Sequence, residues 1–173
     1  MNGIWRQASN AFLSEFDDLP NLESAIHLFT RIALALLLGG ALGWQRERVG
    51  KAAGLRTHML VCLGAALFVT VPLLMGMTHD SVSRVIQGLT TGIGFVGAGA
   101  IVKAESPSRI HGLTTAAGIW LTAAIGVAVG LGRGLTAVVA TSTAFLVLWL
   151  IPGEHHPMKT PEDAATPNAS SKG

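Results

Sequence analysis

The chain is poor in charge, in aromatic side chains and in cysteine. Charged residues make up 13% of its 173 residues, against roughly 25% in a typical water-soluble domain. A single cysteine, Cys62, excludes an intrachain disulfide framework and any multi-cysteine metal site. The sequence contains no Walker loop, no HExxH motif and no basic patch interleaved with aromatic residues. We therefore expect no cofactor, no bound metal and no nucleic-acid partner.

Half of the residues are hydrophobic, and they form five long apolar stretches separated by short polar loops. Roughly 20 apolar residues suffice for a helix to cross the hydrocarbon core of a bilayer. We therefore predict an all-α, polytopic membrane protein of about five transmembrane helices embedded in the lipid bilayer. The transmembrane domain covers residues 21–152, with spans at about 22–44, 57–77, 85–102, 113–131 and 134–151.

The two ends of the chain differ from the spans. Residues 1–20 place apolar side chains at helical spacing, which predicts an amphipathic helix on the outer surface of the membrane, with a disordered leader as the alternative. Residues 153–173 are polar and lack apolar periodicity, which predicts a disordered tail. Most lysines and arginines lie in the first loop, the third loop and this tail. The positive-inside rule therefore predicts an outer amino terminus and a cytoplasmic carboxyl terminus.

Glycine is frequent inside the predicted spans, where it lets helix backbones approach one another closely. Two GxxxG pairs occur, Gly39 with Gly43 and Gly126 with Gly130. The third span adds further glycines: Gly88, Gly92, Gly94, Gly97 and Gly99. We predict that the third and fourth spans pack on each other through their glycines. The same faces should support a homo-oligomer, a dimer or higher.

An internal repeat relates the first two spans to the next two at an offset of 58 residues. Identical residues recur along two segments that begin at Gly54 and Gly112, and the same offset pairs Gly39 with Gly97. In the loops the offset pairs Glu47 with Glu105 and Lys51 with Arg109. The repeat predicts two helical hairpins of equal orientation. Chance coincidence among common small residues is the alternative.

The two loops of this repeat form a candidate site on the predicted cytoplasmic face. The first loop contributes Arg46, Glu47, Lys51, Gly54, Arg56 and Thr57, and the third contributes Glu105, Arg109, Gly112, Thr114 and Thr115. We expect the loops to converge, with threonines capping the spans and both glutamates paired with basic side chains. Because helix amino termini carry partial positive charge, the site should favour an anion or an acidic partner group. Solvated loop charge with simple helix capping is the alternative.

A second set of polar side chains lies in or near the spans: His27, Arg31, Asp80, Arg84 and Gln87. An arginine inside a bilayer needs compensation, and polar groups in spans tend to mark functional pathways. By topology, Asp80 is the expected partner of Arg31, with Gln87 beside it. Snorkelling of Arg31 to the interface is the alternative.

Several motifs resemble the MgtC/SapB family, in order and with fitting spacing. They are Gly43-Trp44-Gln45-Arg46-Glu47, Lys51-x-Ala53-Gly54-Leu55-Arg56-Thr57-His58, Leu63-Gly64-Ala65-Ala66, Asp80-x-x-x-Arg84, Gly92-Ile93-Gly94-Phe95-Val96-Gly97-Ala98-Gly99 and Gly112-Leu113-Thr114-Thr115-Ala116-Ala117-x-x-Trp120. The resemblance implies a bacterial inner-membrane protein linked to magnesium limitation, acid or other envelope stress and survival inside host cells. Two features depart from the family: Gln45 stands where an acidic residue is expected, and only a short tail follows the last span.

These observations favour a non-enzymatic protein that regulates or scaffolds other membrane proteins under such stress. The alternative is an oligomeric transporter or channel subunit for an ion or a small solute, which the repeat and the polar residues of the spans favour. A membrane enzyme is the least supported class, because Ser108 and His111 belong to no recognisable triad.

Overall fold

The computed structural model describes residues 2–14, 21–103 and 110–151. In this part of the chain the elements are α1 (Asn2–Ser14), α2 (Leu22–Arg48), α3 (Leu55–Leu74), α4 (His79–Gly99), β1 (Val102–Lys103), β2 (Ile110–His111), α5 (Leu113–Gly130) and α6 (Gly134–Leu150). The two short strands pair antiparallel, with Val102 opposite His111. The predicted all-α, polytopic membrane fold is confirmed.

Each of the five predicted spans coincides with one of the helices α2 to α6, although their ends differ. By length and composition, α2, α3 and α5 can cross a membrane, whereas α6 is a shorter apolar helix. That α4 and α6 also cross the bilayer stays a prediction. The helix α4 begins earlier than expected because Thr78 caps it: the Ser81 N–H donates to Thr78 Oγ1 at 3.4 Å. Asp80 therefore lies in the first helical turn and not in a turn between spans.

The helices α3 and α5 form the centre of the bundle and cross at backbone contact. A Cβ atom on Gly126 would overlap the carbonyl oxygen of Cys62, and one on Gly130 would lie 2.6 Å from the carbonyl oxygen of Ala66. The buried side chains around this crossing are small or of medium size: Cys62, Ala65, Ala66, Val69, Ala123, Ile125 and Val129. The Gly126–Gly130 pair therefore sets the distance between the two central helices.

The internal repeat is visible in the packing of the two hairpins. A Cβ atom on Gly39 of α2 would lie 2.7 Å from the carbonyl oxygen of His58 on α3. One on Gly97 of α4 would lie 3.7 Å from the carbonyl oxygen of Ala116 on α5. Gly97 and Ala116 are the residues that the offset pairs with Gly39 and His58. The α2–α3 and α4–α5 hairpins thus repeat the same helix contact.

The expected packing of the third and fourth spans needs correction. On α4 a Cβ atom would meet nothing within 4 Å at most of the glycines: Gly88, Gly92, Gly94 and Gly99. The contact of α4 with α5 runs through Gly97 instead, and the Gly126–Gly130 pair packs on α3. The number of glycines in a span does not show which of them face another helix, because that depends on how the helix is rotated about its axis.

The helix α6 covers one side of the bundle, where it packs against α2 and α5. At the amino terminus, α1 forms a helix whose large apolar side chains Ile4, Trp5 and Leu13 are exposed. Its position on a membrane surface stays a prediction. The end of the predicted leader, residues 15–20, and the predicted tail lie outside the described residues.

We expect Gly126→Ala to lower the folded yield and the melting temperature, because the new methyl group would overlap the Cys62 carbonyl of α3. Overpacking of this kind costs about 1–3 kcal/mol. The matched control is Gly64→Ala on α3, where a Cβ atom meets nothing within 4 Å. Thermal unfolding in detergent, followed by circular dichroism, compares the two variants. Equal melting temperatures would show that the α3–α5 distance can relax.

Candidate functional site

The end of the bundle where α2 finishes and α3 and α5 begin is here named the loop end. There the α2–α3 turn is closed by a carboxylate and by backbone contact. The Leu55 N–H donates to Glu47 Oε2 at 2.7 Å, so Glu47 satisfies the first turn of α3. A Cβ atom on Gly54 would lie 2.6 Å from the same oxygen, and one on Gly43 would lie 2.7 Å from the Leu55 Cα. The geometry explains why glycine occupies positions 43 and 54.

Two expectations about this turn are wrong. Glu47 binds the backbone of α3 and, among the residues that the structure describes, no basic side chain. The helices also begin two residues before Thr57 and Thr115, so these threonines do not cap them. The N-cap residues are Gly54 and Gly112, and neither position has a side-chain cap.

The start of α5 requires glycine for a different reason. Gly112 has φ +97°, in the left-handed region that favours glycine. A Cβ atom there would also collide with the carbonyl oxygen of Ala100, just beyond α4. Gly54, at the corresponding position before α3, has an ordinary φ of −104°.

Arg46 is the most unusual residue of the loop end. It lies one turn beyond Leu42 on the packed face of α2 and is only 3% exposed. Its Nε and Nη2 atoms are buried without an acceptor in the described chain, and Gln45 Oε1 is buried without a donor. By contrast, Arg48 is exposed, and its guanidinium lies 3.9 Å from the centre of the Trp44 ring. Two of the three nitrogens of the Arg46 guanidinium, Nε and Nη2, are thus withdrawn from water without a hydrogen-bond acceptor among the described residues.

His58, one turn into α3, was not among the predicted site residues. Its side chain is 1% exposed, and Nδ1 lies 3.0 Å from the Gly54 carbonyl oxygen. Its Nε2 points to α5, where it would lie 3.6 Å from a Cβ on Gly118. A neutral ring that donates from Nδ1 keeps Nε2 as an acceptor. The only sequence signal for this residue was its place at the end of a family motif.

The other predicted residues of this site divide by exposure. Lys51 and Thr57 are partly buried and Thr115 is buried, whereas Arg56 and Thr114 are exposed. Glu105 and Arg109 lie outside the described residues. The structure therefore brings together the α2–α3 turn, Arg46 and His58, with the start of α5 beside them. Convergence with the third loop stays a prediction.

At the opposite end of the bundle, Arg31 has a partner that we did not expect. Its Nη1 donates to the Gly130 carbonyl oxygen at 2.9 Å, and Thr70 Oγ1 donates to the same oxygen at 3.4 Å. This carbonyl closes the last turn of α5, where helical partners run out and a positive charge is favoured. Pairing of Arg31 with Asp80 or Gln87 is therefore wrong.

The remaining polar residues of this end are exposed. On α2, His27 Nε2 lies 3.6 Å from Glu23 Oε1. On α4, the side chains of Asp80, Arg84 and Gln87 are exposed. Across residues 2–14, 21–103 and 110–151, no group of three His, Cys, Asp or Glu side chains is placed to hold a metal ion.

A bundle of apolar, glycine-packed helices with polar residues gathered at its ends defines a polytopic helical membrane protein. The MgtC family model matches residues 32–156, and the chain belongs to the MgtC family.

Three relatives show how far the similarity extends. Protein SrpB of Synechococcus elongatus is 40% identical over 129 residues, which cover 68% of this chain and 71% of SrpB. The putative magnesium transporter YhiD of Escherichia coli is 41% identical over 125 residues, 68% of this chain and 57% of YhiD. Protein MgtC of Brucella abortus is 41% identical over 121 residues, 70% of this chain but 49% of that protein. No solved structure matches the chain.

We expect Gly54→Ala and Glu47→Ala to be non-additive. The first variant displaces the Glu47 carboxylate, and the second removes the hydrogen bond from the Leu55 N–H to a charged acceptor, a type of bond that contributes about 1.5–3 kcal/mol. In the double variant the new methyl group no longer meets a carboxylate, so Gly54→Ala should cost less there than alone. Unfolding of all four proteins in one detergent measures the coupling. Strict additivity would show that the carboxylate and Gly54 act independently.

Proposed function

We propose that this MgtC-family chain is a non-enzymatic bacterial inner-membrane protein that regulates or scaffolds other membrane proteins. The proposed setting is magnesium limitation, acid or other envelope stress. The family resemblance supports this setting, and one relative is named a putative magnesium transporter. In the proposal the loop end faces the cytoplasm, as the distribution of lysine and arginine predicts.

The observation that carries the proposal is the buried Arg46 side chain, whose Nε and Nη2 have no partner among the described residues. A charge that is withdrawn from water destabilises a fold by several kcal/mol unless a counter-charge compensates it. Within the described chain no residue accepts a hydrogen bond from its Nε or Nη2. A binding partner that inserts an acidic group would remove this penalty. A partner without an acidic group would leave the penalty in place, so the site should select for acidic partners.

The surroundings of Arg46 support a binding role over a catalytic one. The nearest carboxylate in sequence, Glu47, is held by the Leu55 N–H of α3. The ring of His58 is held by the Gly54 carbonyl oxygen and covered by α5. Both side chains are held by backbone groups, and neither places a free nucleophile beside a general base.

The second candidate function is an oligomeric transporter or channel subunit for an ion or small solute. The observation in its favour is a cavity of about 440 Å³ on α4, lined in part by Gln87, Thr90 and Thr91. Polar groups at membrane depth tend to mark pathways. The packed centre of the bundle, where Cys62, Val69 and Ile125 are buried, argues against a pathway through one chain.

The test replaces Arg46 with methionine, which has a similar length and no charge. Because the change removes an uncompensated buried charge, we expect Arg46→Met to keep or raise the melting temperature. The variant should nevertheless lose growth under magnesium limitation or acid stress at normal membrane abundance. The matched control is Arg48→Met, whose side chain is exposed and whose loss should leave growth unchanged.

Three results would contradict the proposal. A destabilised Arg46→Met protein would show that the guanidinium has a structural partner, and Glu105→Gln with the same loss of stability would identify that partner within the chain. Normal growth of a stable Arg46→Met strain would show that Arg46 has no binding role. Solute flux in proteoliposomes that contain this protein alone would favour transport.

A further inference from the structure

Most residues of α4 are exposed, although the helix packs on two neighbours. The helix packs on α3 and α5 through Val82, Ile93 and Gly97. On the opposite side, six residues at helical spacing are exposed before the apolar and exposed Phe95 is reached: Asp80, Arg84, Gln87, Gly88, Thr91 and Gly92. We name these residues the α4 outer face.

This face is poorly suited to lipid. The helix α4 has 21 residues and is not one of the helices apolar enough to cross a membrane alone. The Gln87 amide would meet acyl chains, although a polar group in hydrocarbon requires a partner. The glycines beside it leave open space, since a Cβ atom on Gly88 or Gly92 meets nothing within 4 Å. A polar and small-residue face of this kind is typical of a helix–helix contact.

We propose that a second copy of this chain covers the α4 outer face, so that two α4 helices pack in parallel about a two-fold axis along the membrane normal. Both copies insert with the same orientation, which makes the contact parallel and self-complementary. The face carries both signs of charge one helical turn apart, about 6 Å along the axis. Asp80 of each copy can therefore approach the partner copy's Arg84, and the two pairs form together.

The charges available for this contact are not used within one chain. In the described residues Asp80 has no ion pair. Arg84 Nη2 donates only to Ser81 Oγ, at 3.4 Å. One turn deeper, the Gln87 amide and the open space at Gly88 would allow the second helix to approach and share hydrogen bonds.

The internal repeat supports a helix at this position. The offset pairs α2 with α4, and α2 is already covered by α6. A Cβ atom on Gly134, the first residue of α6, would lie 3.2 Å from Leu34 Cδ2 of α2. The offset pairs Leu34 with Gly92, on the α4 outer face. A surface that receives a helix in the first hairpin is thus left without one in the second.

The first experiment exchanges charges between two tagged copies in the same membrane, one with Asp80→Arg and one with Arg84→Asp. Each homodimer then brings like charges together, whereas the mixed dimer restores both attractive pairs. We expect the mixed dimer to exceed its statistical share after tandem affinity purification at low salt, and to return towards that share as salt is raised. Two tagged wild-type copies give the reference value.

The second experiment uses cysteine crosslinking in a Cys62→Ser background. Thr91→Cys should crosslink two copies, whereas the control Leu37→Cys, exposed on α2, should not. Statistical mixing of the charge variants, or equal crosslinking at both positions, would overturn the proposal. So would a monomer that co-purifies with a different membrane protein on this face. Neither experiment depends on the role of Arg46.

Discussion

The close crossing of α3 and α5 is the constraint on which the rest of the structure depends. At Gly126 and Gly130 the backbone of α5 lies against the carbonyl groups of Cys62 and Ala66, with no space for a methyl group. Because the bilayer supplies little hydrophobic force between helices, such contact supplies dispersion energy that a wider spacing would lose. The crossing also positions both ends: it brings the Gly130 carbonyl to Arg31, and it brings Gly118 of α5 over the ring of His58.

Both ends of the bundle then follow from the unsatisfied backbone of helix termini. The carboxyl end of α5 receives donors from Arg31 and Thr70, and the amino end of α3 receives the carboxylate of Glu47. The positive charge of Arg31 at a carboxyl end and the negative charge of Glu47 at an amino end are both favoured by the helix dipole. Arg46 is the exception, since it is as deeply buried as the core and its Nε and Nη2 lack a partner in the described chain. Gln45 Oε1 beside it likewise has no donor, so the buried side-chain polar atoms without a partner in the described chain are all on two adjacent residues of the loop end.

Much of the fold could be predicted because hydrophobic length and glycine pairs act locally along the sequence. The helices, the offset of 58 residues and the Gly126–Gly130 pair all have such signals. The predictions that failed were those of which neighbouring element a side chain contacts. The partner of Arg31 lies 99 residues away on α5, so loop topology pointed to the wrong element. The threonines were expected to cap because their hydroxyls suit that role, yet both helices begin after a glycine, and Glu47 accepts the first N–H of α3. Burial of Arg46 and His58 depends on three helices at once, which no local pattern encodes.

The repeat separates the framework of this protein from its chemistry. In both hairpins the second helix begins after a glycine. In both, a glycine of the first helix, Gly39 or Gly97, faces a backbone carbonyl of the second, and these features serve packing. The unusual polar residues are not shared: the offset pairs Arg46 with Ala104 and His58 with Ala116. A residue needed for the hairpin itself would be expected in both copies, as Gly39 and Gly97 are. The buried arginine and histidine are therefore particular to the first hairpin, and the packing that the two hairpins share does not require them.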